Sequence, residues 1–389
     1  MPDVQSGFAG RYGRAPEVAW WAPGRVNLIG EHTDYNGGQV LPVAIRQGVA
    51  CAAAARADGC LRVASVQERG GPVVVDLDDL APGIVSGWVA YPAGVAWALR
   101  EAGQPVGGAD VLVDGEVPAG AGLASSAALA VSVAAALSDL VGGGDLAESA
   151  PLELARLAQR AEQVFAGVPC GLMDQAVAVL AREGHALWLD CGGPAWEWAP
   201  FDPAAAGLAL FGFDTGTRHR LAEGAYAARR ADCERAAAAL GVGALAEIGM
   251  ADLDGALARL GDERLRRRVR HVVSENARVE AAVAALHAGE PSRLGALLDG
   301  SHSSLRDDFE VSTPELDLAA ATAREAGALG ARLTGGGFGG TVLALVPAAM
   351  AGSVGEAVQH AFRRKGFPPL RTFPVEPGPG AHRLGGVCI

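Results

Sequence analysis

The sequence predicts a two-domain protein of mixed α+β (two-domain α/β) class, and three observations carry that expectation. The chain has 389 residues, beyond the size at which a single hydrophobic core usually stops growing. Short apolar runs bounded by turn-forming residues alternate with longer alanine-rich runs of helical length in both halves. A Gly192-Gly193-Pro194 break divides the chain into segments 1–193 and 194–389.

Taken in order, the apolar runs at 18–22, 40–55, 61–66, 72–77 and 109–116 read as strands, because each is short, apolar and closed nearby by turn residues. Helices are expected at 88–102, 126–140 and 151–165, where Ala is frequent, and again from near Gly171 to Leu180. A strand from Ala186 to Asp190 leads into the break. The second half offers a strand at 207–214, helices at 221–240, 252–260, 262–288 and 314–327, and a strand at 341–346. No internal repeat is visible.

Composition narrows the function. Half the residues are apolar and 20% are charged, an ordinary balance for a soluble globular chain. A net charge of −12 argues against a nucleic-acid surface. The basic run Arg264 to Arg270, set among acidic residues, reads as a solvated helix face. No apolar stretch reaches membrane-spanning length, and Met1 to Arg14 lacks the charged-then-apolar order of a secretory signal, so a cytoplasmic location is expected. Cys51, Cys60, Cys170, Cys191, Cys233 and Cys388 form no C-x-x-C pair and read as reduced thiols. The histidines show no zinc-ligand spacing.

Three segments concentrate chemistry. The run from Pro23 to Asn36 packs Arg25, Glu31, His32, Asp34 and two asparagines between turn residues. Such a set suits a polyhydroxylated ligand, whose hydroxyls both donate and accept, although a solvated surface turn has the same composition. Val117 to Leu129 is a glycine-rich loop running straight into a helix, the arrangement of an anion site: backbone N–H groups approach phosphate oxygens and the helix dipole adds to them. Ser125 and Ser126 there serve either as helix caps or as metal ligands. Leu333 to Val342 matches G-x-G-x-x-G formally, but its glycines precede a strand, unlike a dinucleotide fingerprint.

Together these segments resemble the GHMP kinases, a superfamily of small-molecule kinases. The loop P-x-x-x-G-L-x-S-S-A at Pro118 to Ala127 and the glycines from Gly335 to Gly340 carry that resemblance. G-R-V-N-L-I-G-E-H-T-D-Y-N at 24–36, C-G-L-M-D-Q at Cys170 to Gln175, and Ser301 to Ser312 with Pro314-Glu315-Leu316-Asp317 narrow it to the galactokinase family.

The resemblance implies an N-terminal domain with a mixed sheet, a C-terminal α/β domain with an antiparallel sheet, and an active site in the cleft between them. It also implies transfer of the ATP γ-phosphoryl group to the anomeric hydroxyl of galactose, giving α-galactose 1-phosphate. Asp174 is then the base and Arg25 its partner, a fixed charge beside the developing charge. Glu31, His32, Asp34, Gly171, Asp174 and Tyr226 are the expected sugar ligands. Gly120, Ala121, Gly122, Leu123, Ser125 and Ser126 line the phosphate cradle, and Ser125 and Glu162 hold Mg²⁺, which needs few protein oxygens. Trp88 either stacks on adenine or belongs to the core. No nucleic acid, membrane or obligate protein partner is expected.

Departures from the family pattern are Ala124 in place of a third loop serine, Gly37 and Thr341 where Asp and Cys are common, and the divergent Thr215 to His219. Two other readings accompany the leading one: a related kinase acting on arabinose or N-acetylgalactosamine, and a non-catalytic sensor of sugar and ATP. Asp34 followed by Tyr35-Asn36 favours galactose over N-acetylgalactosamine, and the full-length phosphate loop disfavours the sensor.

Overall fold

The computed structural model describes residues 3–118, 120–141, 146–218 and 222–385. Ala119, His219 and Cys388, which figure in the sequence reading, lie outside the described residues. In chain order the first half contains α1 (Val4–Tyr12), β1 (Val18–Asn27), β2 (Gln39–Val40), β3 (Pro42–Arg56), β4 (Cys60–Ser65), β5 (Val73–Asp76), α2 (Ala90–Glu101), β6 (Gly108–Gly115), α3 (Ser125–Leu140), α4 (Leu146–Ser149), α5 (Pro151–Arg160), α6 (Met173–Leu180) and β7 (His185–Asp190). The second half contains β8 (Trp196–Pro200), β9 (Leu208–Arg218), α7 (Ala222–Leu240), α8 (Leu253–Arg259), α9 (Glu263–His287), α10 (Leu294–Asp307), α11 (Pro314–Glu325), β10 (Gly330–Thr334), β11 (Gly339–Pro347), α12 (Ala351–Lys365), β12 (Arg371–Val375) and β13 (His382–Arg383).

A six-stranded mixed sheet in the order β13-β1-β3-β6-β4-β5 organises the first half; β4 runs parallel to β6 and the other pairings are antiparallel. Strand β3 is apolar on both faces for a physical reason. Val49, Cys51 and Ala53 face the core built with α2, α3, α5 and α6, whereas Ala50, Ala52 and Ala54 pack beneath Val4 and Phe8 of α1. A strand covered on both sides shows no polar alternation. Helix α3 is likewise buried on nearly every side, from Ala127 to Ser138.

The second half is built on an antiparallel sheet in the order β10-β11-β9-β12. One face packs on α7, α9, α11 and α12. The other face contributes Leu210, Leu343 and Leu345 to a cluster shared with Val26, Leu28, Ile29, Val43 and Leu123, so the two halves meet through a dry apolar seam. The Gly192-Gly193 turn joins β7 to β8, which pair in the three-stranded sheet β2-β7-β8, and β13 returns to pair with β1.

Several elements were absent from the sequence reading: α1, α4, α10, α12, β8, β10, β12 and β13. Helix α10 buries Ser301, His302 and Ser304 beside Leu294, Leu298 and Leu305, so polar residues interrupt its apolar stripe. Strand β12 is largely exposed at a sheet edge and has no apolar pattern to detect. The expected helix 151–165 ends at Arg160 and continues as a π-turn over Ala161–Phe165. The basic run on α9 is a correction: Arg268 is fully buried, ion-paired with Asp232 and Glu310, rather than solvated.

Candidate active site

A cleft of about 400 Å³ lies where the two glycine-rich loops meet the segment after β1. Arg25 enters it from β1, because that strand is buried along its whole length and aims this one cation inward. Its guanidinium grips Asp174, on the first turn of α6, through two parallel bonds: Nε to Oδ1 at 2.7 Å and Nη2 to Oδ2 at 2.6 Å. Nη1 donates to the Gly122 carbonyl at 2.5 Å, and the Arg25 N–H donates to the Leu123 carbonyl at 3.0 Å. One arginine thus ties the carboxylate to the phosphate-loop backbone. Burial opposes its charge, but Asp174, Glu31 and Asp34 outweigh that and raise the guanidinium above its ordinary value.

Glu31 is held from one side only. Its Oε1 accepts the Gly335 N–H at 2.7 Å and the Thr334 hydroxyl at 3.1 Å, and pairs with Arg332 at 2.9 Å. Its Oε2 accepts no hydrogen bond among the described residues, which leaves an acceptor for a ligand at the cleft. His32 adopts a left-handed backbone (φ 62°), secured by Asn36 Nδ2 donating to its carbonyl at 2.7 Å. Its Nδ1 is hydrogen-bonded to the Tyr35 hydroxyl, and its ring packs on Phe309 and Tyr226. Burial keeps this imidazole neutral, well below the usual histidine range. Its Nε2 is buried and completes no well-formed hydrogen bond.

Asp34 opens a single 3-10 turn, and burial together with Asp174 and Glu31 pushes its carboxyl up to about 7. Gly171 has to be glycine for a steric reason: a Cβ there would lie 1.7 Å from Asp34 Oδ2. Tyr226, on α7, lines the same cleft, and a Cβ on Gly336 of the second glycine-rich loop would stand 3.2 Å from its ring.

Glu162 was expected on an ordinary helix face. It sits instead in the π-turn, 4% exposed, a device common where a helix bends to present a side chain. Ser126 donates to its Oε1 at 2.8 Å and Gln175 to its Oε2 at 2.7 Å. Burial first, and Asp174 second, raise its carboxyl to about 7. Ser125 begins α3 after Ala124, whose left-handed backbone (φ 57°) turns the chain from loop into helix. Gly120 and Gly122 line the cleft, while Ala121 and Leu123 are buried behind it. Thr341 donates to the Ala121 carbonyl at 3.0 Å, and Thr215 to the Gly340 carbonyl at 2.8 Å, so two residues at divergent positions stitch the loops together.

The structure therefore brings Arg25, Glu31, His32, Asp34, Gly120, Gly122, Glu162, Gly171, Asp174 and Tyr226 to one cleft. Ser125 and Ser126 stand at the adjoining start of α3. Trp88 is not among the lining residues; it packs partly buried against the first-half core. Sequence reasoning missed Cys170, Val168, Pro169, Met173 and Phe338 as lining residues, and the buried group His271, Glu275 and Arg332 behind Glu31. Cys170, Met173 and Phe338 stand within motifs the sequence did mark, whereas Val168, Pro169, His271, Glu275 and Arg332 stand in contexts with no local signal of a site.

A two-domain α+β fold with a glycine-rich loop opening a buried helix, facing a second glycine-rich loop across an acid-rich cleft, defines a GHMP-type kinase. Family models agree: the chain matches the GHMP kinases N terminal domain over residues 90–182 and the GHMP kinases C terminal domain over 282–364. The Methanococcus jannaschii mevalonate kinase structure shares the fold, with a TM-score of 0.63 at 16% identity over 92% of this chain and 98% of that one. Residues 6–55 match the galactokinase galactose-binding signature. The chain is 51% identical to the galactokinase of Streptomyces coelicolor over 97% of each. It is 44% identical to that of Mycobacterium bovis, over 94% of this chain and 98% of that one. The Lactococcus lactis galactokinase structure complexed with galactose superposes with a TM-score of 0.92, at 34% identity over 98% of this chain and 99% of that one. This chain belongs to the galactokinase family.

Proposed function

We propose that this chain phosphorylates the anomeric C1 hydroxyl of galactose from ATP, with Asp174 as base and Arg25 as its electrostatic partner. The observation that carries the reading is the two-pronged Arg25–Asp174 pair anchored to the Gly122 carbonyl. It sets a carboxylate beside a phosphate cradle and within the same cleft as four polar groups suited to hydroxyls. The C1 oxygen attacks the γ-phosphorus, its proton passes to Asp174, and the bond from γ-phosphorus to the bridging oxygen breaks as ADP leaves. Arg25 stabilises charge that grows on the transferred group. Glu31 Oε2, His32 Nε2, Asp34 and Tyr226 meet the remaining hydroxyls; an epimer leaves some of these buried groups unmatched.

The nucleotide calls for a divalent cation. Among the described lining residues, Arg25 is the one Arg or Lys, against Glu31, Asp34, Glu162 and Asp174. Phosphate charge must then be met by loop amides, the α3 N-terminus and a metal. No group of three or more potential ligands is present among the described residues, which fits a Mg²⁺ that keeps its waters and phosphates and takes one or two protein oxygens. Glu162 and Ser125 would hold it. Buried Glu162, raised to about 7, is a carboxyl whose charge a cation would favour. When bound, the metal would draw charge from the β- and γ-phosphates.

Free thiols at the described cysteines and ATP as co-substrate favour the cytoplasm. No helix among the described residues is long and apolar enough to cross a membrane.

The test is ADP formation with Mg-ATP across galactose, glucose, N-acetylgalactosamine, arabinose and a no-sugar blank, with Asp174→Asn alongside. Galactose-dependent turnover that falls on the order of 10²–10⁴ in the variant supports substrate and base together. Undiminished turnover in Asp174→Asn refutes the base assignment. Saturable binding without turnover supports the sensor reading instead.

A further inference from the structure

Behind the cleft, α9 grips the backbone on both sides of the Glu31 side chain, at the Ile29–Gly30 peptide and at the Glu31–His32 peptide. Glu275, fully buried, accepts the Gly30 N–H at 3.0 Å through Oε1. His271, also fully buried, donates from Nε2 to the Glu31 carbonyl at 3.1 Å. Burial lowers this imidazole to about 4 and keeps it neutral, so its one proton is on Nε2; Nδ1 lies 2.9 Å from the Ser304 hydroxyl, whose proton it shares with Asp308 Oδ2 at 3.2 Å. Glu275 is held in turn by the Ser301 hydroxyl at 2.6 Å and by Arg278 at 2.7 Å. The same His271 ring packs on Phe309, which also packs on the His32 ring. Gly30 is wedged against α9 as well: it is left-handed (φ 99°), and a Cβ there would meet Val279 at 2.9 Å.

The loop that carries Glu31 and His32 belongs to the first half, yet α9 and β10 of the second supply part of its grip. A left-handed non-glycine residue such as His32 persists only where its surroundings hold it. We propose that His271 and Glu275 are positioning residues for the sugar, setting Glu31 and His32 through their backbone and leaving the nucleotide side untouched. The proposal rests on the reading of Glu31 and His32 as sugar ligands. Ser301 and Ser304 of α10 then orient the two α9 groups through their hydroxyls.

The test uses full-length enzyme and reads KM for galactose and for ATP, kcat, and Tm. His271→Phe removes the donor to the Glu31 carbonyl and keeps ring volume; His271→Gln returns an N–H. Galactose KM is expected to rise roughly tenfold in His271→Phe, about 1.4 kcal/mol. ATP KM should stay within about twofold, and His271→Gln should recover most of the loss. Val272→Ala, in the core one position along the same helix, is the destabilised control: lower Tm, unchanged KM. A lower Tm and smaller active fraction in His271→Phe, with galactose KM unchanged, overturns the inference.

Should His271→Phe not fold, Ser301→Ala removes a single hydroxyl from Glu275 and is expected to raise galactose KM roughly threefold. An unchanged KM there also overturns it. Glu31→Gln separates the two levels. If it raises galactose KM and His271→Phe does not, this inference alone fails; if the wild type never turns over galactose, the parent reading fails and this one with it.

Discussion

Gly171→Ala isolates one contact of the sugar pocket. Gly171 is not among the residues of positive φ, so alanine there meets no backbone strain. The added methyl would stand 1.7 Å from Asp34 Oδ2, 2.3 Å from Cγ and 2.9 Å from Cβ. Rotating the carboxylate about its last bond relieves the first contact and leaves the other two, so the whole Asp34 side chain has to leave its place. A hydrogen bond to a charged group contributes about 1.5–3 kcal/mol, which converts to roughly 10- to 150-fold in galactose affinity. Displacement of a positioned group by about 1 Å produces losses of the same order. Calorimetric titration of galactose, paired with KM for ATP, reads the effect: galactose binding should weaken by that factor while ATP KM holds. Galactose affinity within about twofold of wild type would refute Asp34 as a sugar ligand.

Three further outcomes are expected. Glu162→Gln should raise the Mg²⁺ concentration for half-maximal activity by roughly tenfold or more, read by metal titration, with galactose binding unchanged. Thr341→Val leaves the buried Ala121 carbonyl without its 3.0 Å donor, at a cost of about 1–3 kcal/mol; Tm should fall and ATP KM rise. The pH dependence follows from Asp34 and Glu162, both raised to about 7 from ordinary values of 3.8 and 4.5. Between those values the folded chain keeps protons the unfolded chain has lost, so these two groups make stability decline as pH rises toward 7. With Asp34 as the proposed sugar ligand in its ionised form, galactose binding should strengthen through about pH 7, and Asp34→Asn should flatten that profile.

Much of the site was legible because its chemistry is local. Residues 24–36, 118–127 and 170–175 each hold a dense set of groups in a few positions, and glycines punctuate all three. The long strands and most long helices were legible too, since β3 and α3 carry apolar patterns that need no partner to be read. Less was visible where burial and composition disagree. Glu162 and Arg268 look solvent-bound in sequence; the fold buries both, because Ser126, Gln175, Asp232 and Glu310 supply partners from distant segments.

By itself the sequence determined which groups exist for the chemistry and where most of the long strands and helices run. Tertiary structure decided which of them meet. Arg25 and Asp174 are 149 positions apart, and no periodicity relates them; packing of α6 against β1 brings them into contact. His271 and Glu275 sit in the middle of a long helix with a basic approach, where nothing local distinguishes them from other polar residues. They acquire a role only because α9 crosses behind Gly30 and Glu31. A hydrogen bond depends on distance in space, and that distance is set by how the cores pack rather than by separation along the chain.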